Sequence, residues 1–156
     1  MKALFIFIVL ISSIFQDYTV IVDSEFAYQP FEKKLTEENL SDHFKVQFES
    51  YFETTESKHA PKLDTIYSYT YRDSFFEFVK APNGSVFFSK AVIRDPELRM
   101  RDVYVGMSLN TFCDNFQLGQ SRDSIYVVTD EEDLMSHAFW FEDERLIQAS
   151  IINYVD

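Results

Sequence analysis

From Ile66 to Tyr71 the chain alternates without a break, with Tyr67, Tyr69 and Tyr71 on one side and Ile66, Ser68 and Thr70 on the other. A period of two is that of an extended strand, in which successive side chains point to opposite faces of a sheet. Arg72-Asp73-Ser74 reads as a turn into a second strand, Phe75-Phe76-Glu77-Phe78-Val79. Pro82-Asn83-Gly84 closes the next hairpin, because Asn-Gly tolerates the positive φ that tight hairpin turns demand. Val86–Arg94 is then a third strand, ended by Asp95-Pro96. Ahead of these strands, Thr36 is placed to cap a helix whose Glu37 and Glu38 suit the positive end of the helix dipole. Leu40, Phe44, Phe48 and Tyr51 continue it as one apolar stripe. Residues 53–64, polar and containing Pro61, read as a loop.

The second half repeats this grammar. Ser108 is the expected N-cap, Leu109, Phe112, Cys113 and Phe116 form the apolar stripe, and Gly119 is the expected left-handed stop. Strands follow over Ser124–Thr129, Leu134–Phe141 and Arg145–Tyr154, with acidic turns at residues 130–133 and 142–144. A further short strand is expected around Leu98–Val105. Two α-β-β-β half-repeats, about 30–96 and 97–156, make an α+β fold: an antiparallel β-sheet with short helices packed on one face. No β-α-β alternation calls for a parallel sheet. The 72 residues between Thr36 and Ser108 are too many for a solenoid repeat.

Residues 1–15 stand apart. Lys2 precedes the apolar run Ala3–Ile11, and Ser12-Ser13 follow, the arrangement of a secretory signal. The run is shorter than the roughly 20 apolar residues a membrane-crossing helix needs. The expected mature protein is therefore one domain, residues 16–156, exported to the periplasm or beyond the cell.

Charge and composition exclude several function classes. With 14 basic and 26 acidic residues, the net charge of −12 is the wrong sign for nucleic acid or for an anionic membrane surface. It favours a partner with a basic surface. One cysteine rules out an internal disulfide and a cysteine-based zinc site. His43, His59 and His137 are too scattered for a local metal motif, and the strand between Asp133 and Glu142 holds the two acidic turns about 26 Å apart. Metal and cofactor are both expected to be absent. Three glycines leave no material for a phosphate loop, and Cys113 falls on an apolar stripe, where it acts as a small hydrophobe. No catalytic set is read, and an enzyme is not expected. A hydrolase with carboxylates paired in space is the remote alternative.

Gly106-Met107-Ser108 opening a short helix that ends in Leu118-Gly119, followed by the late hairpin of Trp140-Phe141 and Leu146, resembles the β-lactamase-inhibitor-like superfamily of small bacterial envelope domains. That group includes short outer-membrane-assembly lipoproteins. The similarity spans residues 105–154, about a third of the chain. It implies a binding or scaffolding module without an active site. This chain departs from the pattern in lacking a lipid-bearing cysteine and in carrying Glu142-Asp143-Glu144 where a turn glycine is usual.

The remaining feature is aromatic. There are 17 Phe and 9 Tyr, and Tyr67, Tyr69 and Tyr71 with Phe76 and Phe78, joined by Phe87, are the candidate partner-binding face. Two readings stand: a core face beneath the helices, or a half-wet surface suited to tyrosine at protein interfaces. The expected function is protein binding through this face, with a small apolar-ligand or lipid carrier as the alternative.

Overall fold

The computed structural model describes residues 18–56, 63–119 and 121–153. The leader expected over residues 1–15 and the middle of the loop expected over 53–64, including His59 and Pro61, lie outside the described residues. Among the described residues eight strands form one sheet: β1 (Tyr18–Val22), β2 (Glu49–Glu56), β3 (Leu63–Tyr71), β4 (Ser74–Lys80), β5 (Val86–Ile93), β6 (Ile125–Thr129), β7 (Met135–Glu142) and β8 (Arg145–Asn153). Their order is β1-β6-β7-β8-β5-β4-β3-β2. Three short helices, α1 (Ser24–Tyr28), α2 (Leu40–Phe44) and α3 (Leu109–Asn115), complete an α+β fold.

All neighbouring strands are antiparallel except β1 and β6, which run parallel. Two meanders, β2–β5 and β6–β8, meet at their last strands, with Ile93 opposite Ala149 and Lys90 opposite Ile152. The first meander has four strands rather than the expected three. The helix expected to reach Tyr51 stops at Phe44, because Lys45 turns left-handed at φ 56°. The chain then enters β2, so residues 53–56 of the expected loop are the end of an edge strand.

One face of the sheet carries the core. Phe76 and Phe78 from β4, Ala91 and Ile93 from β5, Tyr126 and Val128 from β6, Phe139 and Phe141 from β7, and Ala149 and Ile151 from β8 are all buried on it. The helices close over them with their own apolar residues: Phe26 meets Phe139 at 6.0 Å, Phe44 meets Phe76 at 5.2 Å, and Phe112 meets both Tyr126 and Phe139 at 5.2 Å. His137 lies on this face and is fully buried, as its alternation with Phe139 and Phe141 implies.

Of the expected helix ends, Ser108 caps as read, whereas the N-cap expected at Thr36 is Asn39. Thr36 and Asn39 exchange side-chain-to-backbone hydrogen bonds at 2.9 and 3.3 Å, and the regular helix begins only at Leu40. Ser108 Oγ accepts the Thr111 N–H at 3.1 Å. The left-handed stop after α3 is Gln117 (φ 54°), not Gly119. The strand expected around Leu98–Val105 is instead a tight loop in which Met100 and Val103 exchange backbone bonds across Arg101 (φ 47°).

Gly106-Met107-Ser108 has a mechanical role. The Gly106 N–H donates to the Leu146 carbonyl at 2.7 Å, the Leu146 N–H donates to the Met107 carbonyl at 3.0 Å, and the Leu109 N–H donates to the Glu144 carbonyl at 2.9 Å. Gly106 sits at φ 94°, a conformation open to glycine. These bonds fasten the start of α3 to the β7–β8 hairpin. That hairpin turns through Asp143 (φ 48°) and Glu144 (φ 57°), both left-handed without a glycine.

Candidate functional site

Because α1, α2 and α3 lie on one face, the opposite face of the sheet has no helix over it among the described residues. Strand register places there Tyr18, Val20 and Val22 from β1, Val127 from β6, Trp140 from β7, Phe75 and Val79 from β4, Phe87 from β5, Ile66 from β3 and Tyr51 from β2. Tyr18, Val20, Val22, Tyr51 and Phe87 are exposed outright, and Trp140 and Phe75 are half-buried by their neighbours.

A polar band divides this open face. Lys90 Nζ pairs with Glu77 at 2.9 Å, the Ser89 hydroxyl donates to Glu77 at 3.1 Å, and Arg94 Nε donates to Gln148 at 2.8 Å. Apolar residues flank the band on both sides. Exposed apolar surface on either side of fixed polar groups is the composition of a recognition surface.

The candidate residues Tyr67, Tyr69, Tyr71, Phe76 and Phe78 lie on the other face. Phe76 and Phe78 are 0% and 1% exposed. They are core residues with no surface to offer, which corrects the expectation that they belong to a partner-binding platform. The tyrosines are half-buried along the flank of the core. The Tyr69 hydroxyl donates to Glu37 Oε1 at 2.7 Å, and its ring meets Phe78 edge-on at 5.8 Å. The Tyr71 hydroxyl donates to Glu97 Oε2 at 2.7 Å. Tyr67 lies 6.2 Å from Phe52. Burial, then the bond to Glu37, raises the Tyr69 pKa far above the ordinary phenol value. For Tyr71 the bond to Glu97 is the larger cause of the rise.

Phe87 separates from the other candidates for a geometric reason. The ladder between β4 and β5 shifts between Glu77 and Phe78, so Phe88, not Phe87, faces Phe78. The one-residue slip turns Phe87 onto the open face, opposite Val79.

A second candidate is a cleft of about 880 Å³ between the segment following α1 and the β4–β5 hairpin. Phe31, Leu35, Phe78 and Phe88 line it, with Tyr28, Val86 and Phe87 as its exposed apolar lining and Lys33, Lys34, Glu37 and Glu38 as its charged groups.

His137, His43 and Cys113 each have a packing or hydrogen-bond partner. The His137 Nε2 is 2.7 Å from the Ala27 carbonyl. His43 packs edge-on to Phe44 at 4.6 Å, and burial lowers its pKa. The buried Cys113 thiol points to the Tyr126 hydroxyl, which donates to Ser121 at 2.9 Å. Among the described residues no group of three His, Cys, Asp or Glu side chains is arranged to hold a metal ion, and no helix is long and apolar enough to cross a membrane. Sequence reasoning missed Trp140, Phe75 and Tyr51 as open-face residues. The available signal was the same period-two alternation, which sets Trp140 apart from Phe139 and Phe141. Comparison of the chain with protein-family models, curated proteins and solved structures finds no match.

Proposed function

We propose that this protein is an exported bacterial envelope module that binds another protein through the open face of its sheet, without catalysing a reaction. The observation that carries this reading is the largely apolar face, without a helix over it among the described residues, running from Val20 through Trp140 and Phe75 to Tyr51 and crossed by the bonded pairs Lys90–Glu77 and Arg94–Gln148. The leader-like residues 1–15 support export, and the Gly106-Met107-Ser108 hairpin clamp supports kinship with the β-lactamase-inhibitor-like envelope domains. A net charge of −12 favours a basic partner surface and speeds encounter at low salt.

The test is capture from an envelope extract, comparing the native protein with Trp140→Glu and Val79→Glu. Both substitutions place a charge on the open face and leave the core untouched. Capture of one protein by the native chain, lost in both variants at unchanged thermal midpoint, supports the reading. Equal capture by all three overturns it.

The cleft lined by Phe31, Leu35 and Phe88 favours a second reading, a carrier of a small apolar ligand or lipid. In that case an acyl chain co-purifies with the protein and raises its thermal midpoint when added back.

A further inference from the structure

The two ends of the sheet differ in charge. At one end β2 carries Glu49 and Glu53, both exposed, the kind of charge that discourages edge-to-edge pairing. At the other end β1 reads Tyr18-Thr19-Val20-Ile21-Val22 and carries no charge. Its inner side is fixed: Ile21 is buried, the Thr19 hydroxyl donates to Asp123, and the strand pairs with β6 along its length. No described residue pairs with its outer side. Tyr18, Val20 and Val22 are 49%, 53% and 62% exposed.

From this contrast we infer that β1 is the dimerisation edge of the protein and that its partner is the β1 strand of a second copy, paired antiparallel about Val20. The strand is self-complementary in that register. Val20 meets its own copy, Tyr18 meets Val22 on the open face, and Thr19 meets Ile21 on the core face. Two chains of net charge −12 repel over most of their surfaces, and β1 itself adds no charge to the contact. Of the two acids that flank the strand in sequence, Asp17 and Asp23, the Asp23 carboxylate is held back by accepting the Phe26 N–H at 3.0 Å. Pairing joins two sheets into one of sixteen strands and makes their open faces continuous. Salt strengthens the dimer, because it screens the remaining repulsion between the copies.

The test uses protein produced from its full coding sequence. Sedimentation is measured at low and moderate salt for the native chain, Val20→Lys and Val22→Glu. Covalent capture is measured in a Cys113→Ser background carrying either Val20→Cys or Tyr18→Cys. The expected results are a native dimer that tightens with salt, folded monomers for both charged variants with thermal midpoints that lack the concentration dependence of the native one, and self-cross-linking of Val20→Cys but not of Tyr18→Cys. A native monomer at micromolar concentration overturns the inference. So does a dimer that survives both charged substitutions, or one in which Val20→Cys fails to cross-link. If either charged variant misfolds, the other variant and the cysteine pair decide.

Discussion

The Nε2 of His137 lies 2.7 Å from the carbonyl oxygen of Ala27, joining the core side of β7 to α1. Since a carbonyl can only accept, the proton of the neutral ring sits on Nε2, and Nδ1 is buried without a partner. Burial lowers the pKa of the ring from 6.5 to about 4.

This sets the direction of an acid response. Between pH 6.5 and about 4 the unfolded chain binds a proton at His137 that the folded chain does not, so stability falls as pH falls through that window. The whole effect is worth about 3 kcal/mol. Urea unfolding at pH 7 and pH 4.5 should show the native protein losing about 2–3 kcal/mol more than His137→Gln over the same interval. Parallel losses in the two proteins would remove His137 as the source.

Asp130 acts on the other side of that window. Its buried carboxylate accepts the Met135 N–H at 2.8 Å and the Tyr28 hydroxyl at 2.9 Å. Burial pushes its pKa up, but the bonds from Met135 and Tyr28, together with the backbone of Leu134 and of Asp130 itself, outweigh burial and hold it below the ordinary carboxylate value. Its contribution is therefore full above the unfolded carboxylate pKa and is lost as pH falls through the lower folded value. Asp130→Ala should cost about 1–3 kcal/mol at neutral pH, and Tyr28→Phe less. The double variant should cost less than their sum, because one bond is counted in both. Full additivity in urea unfolding would mean that the Tyr28–Asp130 bond contributes nothing.

Local chemistry was legible in the sequence. The alternation through Tyr67, Tyr69 and Tyr71, the Asn83-Gly84 turn and the Ser108 cap each depend on neighbours a few residues away, and each forms where expected. What failed depended on distant contacts. Tyrosine hydroxyls argued for a wet face, yet Glu37 and Glu97 satisfy two of them from 32 and 26 residues away. A register shift between Glu77 and Phe78 decides that Phe88 faces the core and Phe87 does not, and no residue type announces such a shift. β1 was invisible because its pairing partner, β6, begins at Ile125. The early end of α2 rests on a left-handed lysine where sequence rules look for glycine or asparagine.

The tyrosine row now carries a different expectation. Tyr69→Phe removes the bond to Glu37 but keeps the ring against Phe78, and should cost about 0.5–1.5 kcal/mol. Tyr69→Ser also removes the ring from the flank of the core, and should cost about 3 kcal/mol, like other large-to-small changes at packed aromatic sites. Neither should alter partner capture beyond the fraction that unfolds. Urea midpoints beside capture yields separate the two effects: loss of capture by folded Tyr69→Phe would return this row to the binding surface.

Phe112 is the point on which the second half of the core turns. Its ring is fully buried and lies 4.8 Å from Phe116, 5.1 Å from Phe141 and 5.2 Å from Phe139. It joins α3 to β6 and β7, and α3 is itself hooked onto the β7–β8 hairpin through Gly106 and Leu109. Phe112→Ala leaves a cavity that these rings cannot close without breaking their edge contacts, and should cost about 3–5 kcal/mol. That is a large share of the 5–15 kcal/mol by which a domain of this size is usually stable. Phe112→Leu keeps more of the volume and should cost less, so the two thermal midpoints should differ clearly. If Phe112→Ala melted within a few degrees of the native protein, α3 would not be a structural part of the core. The clamp through Gly106-Met107-Ser108 would then be holding a helix that the sheet does not need.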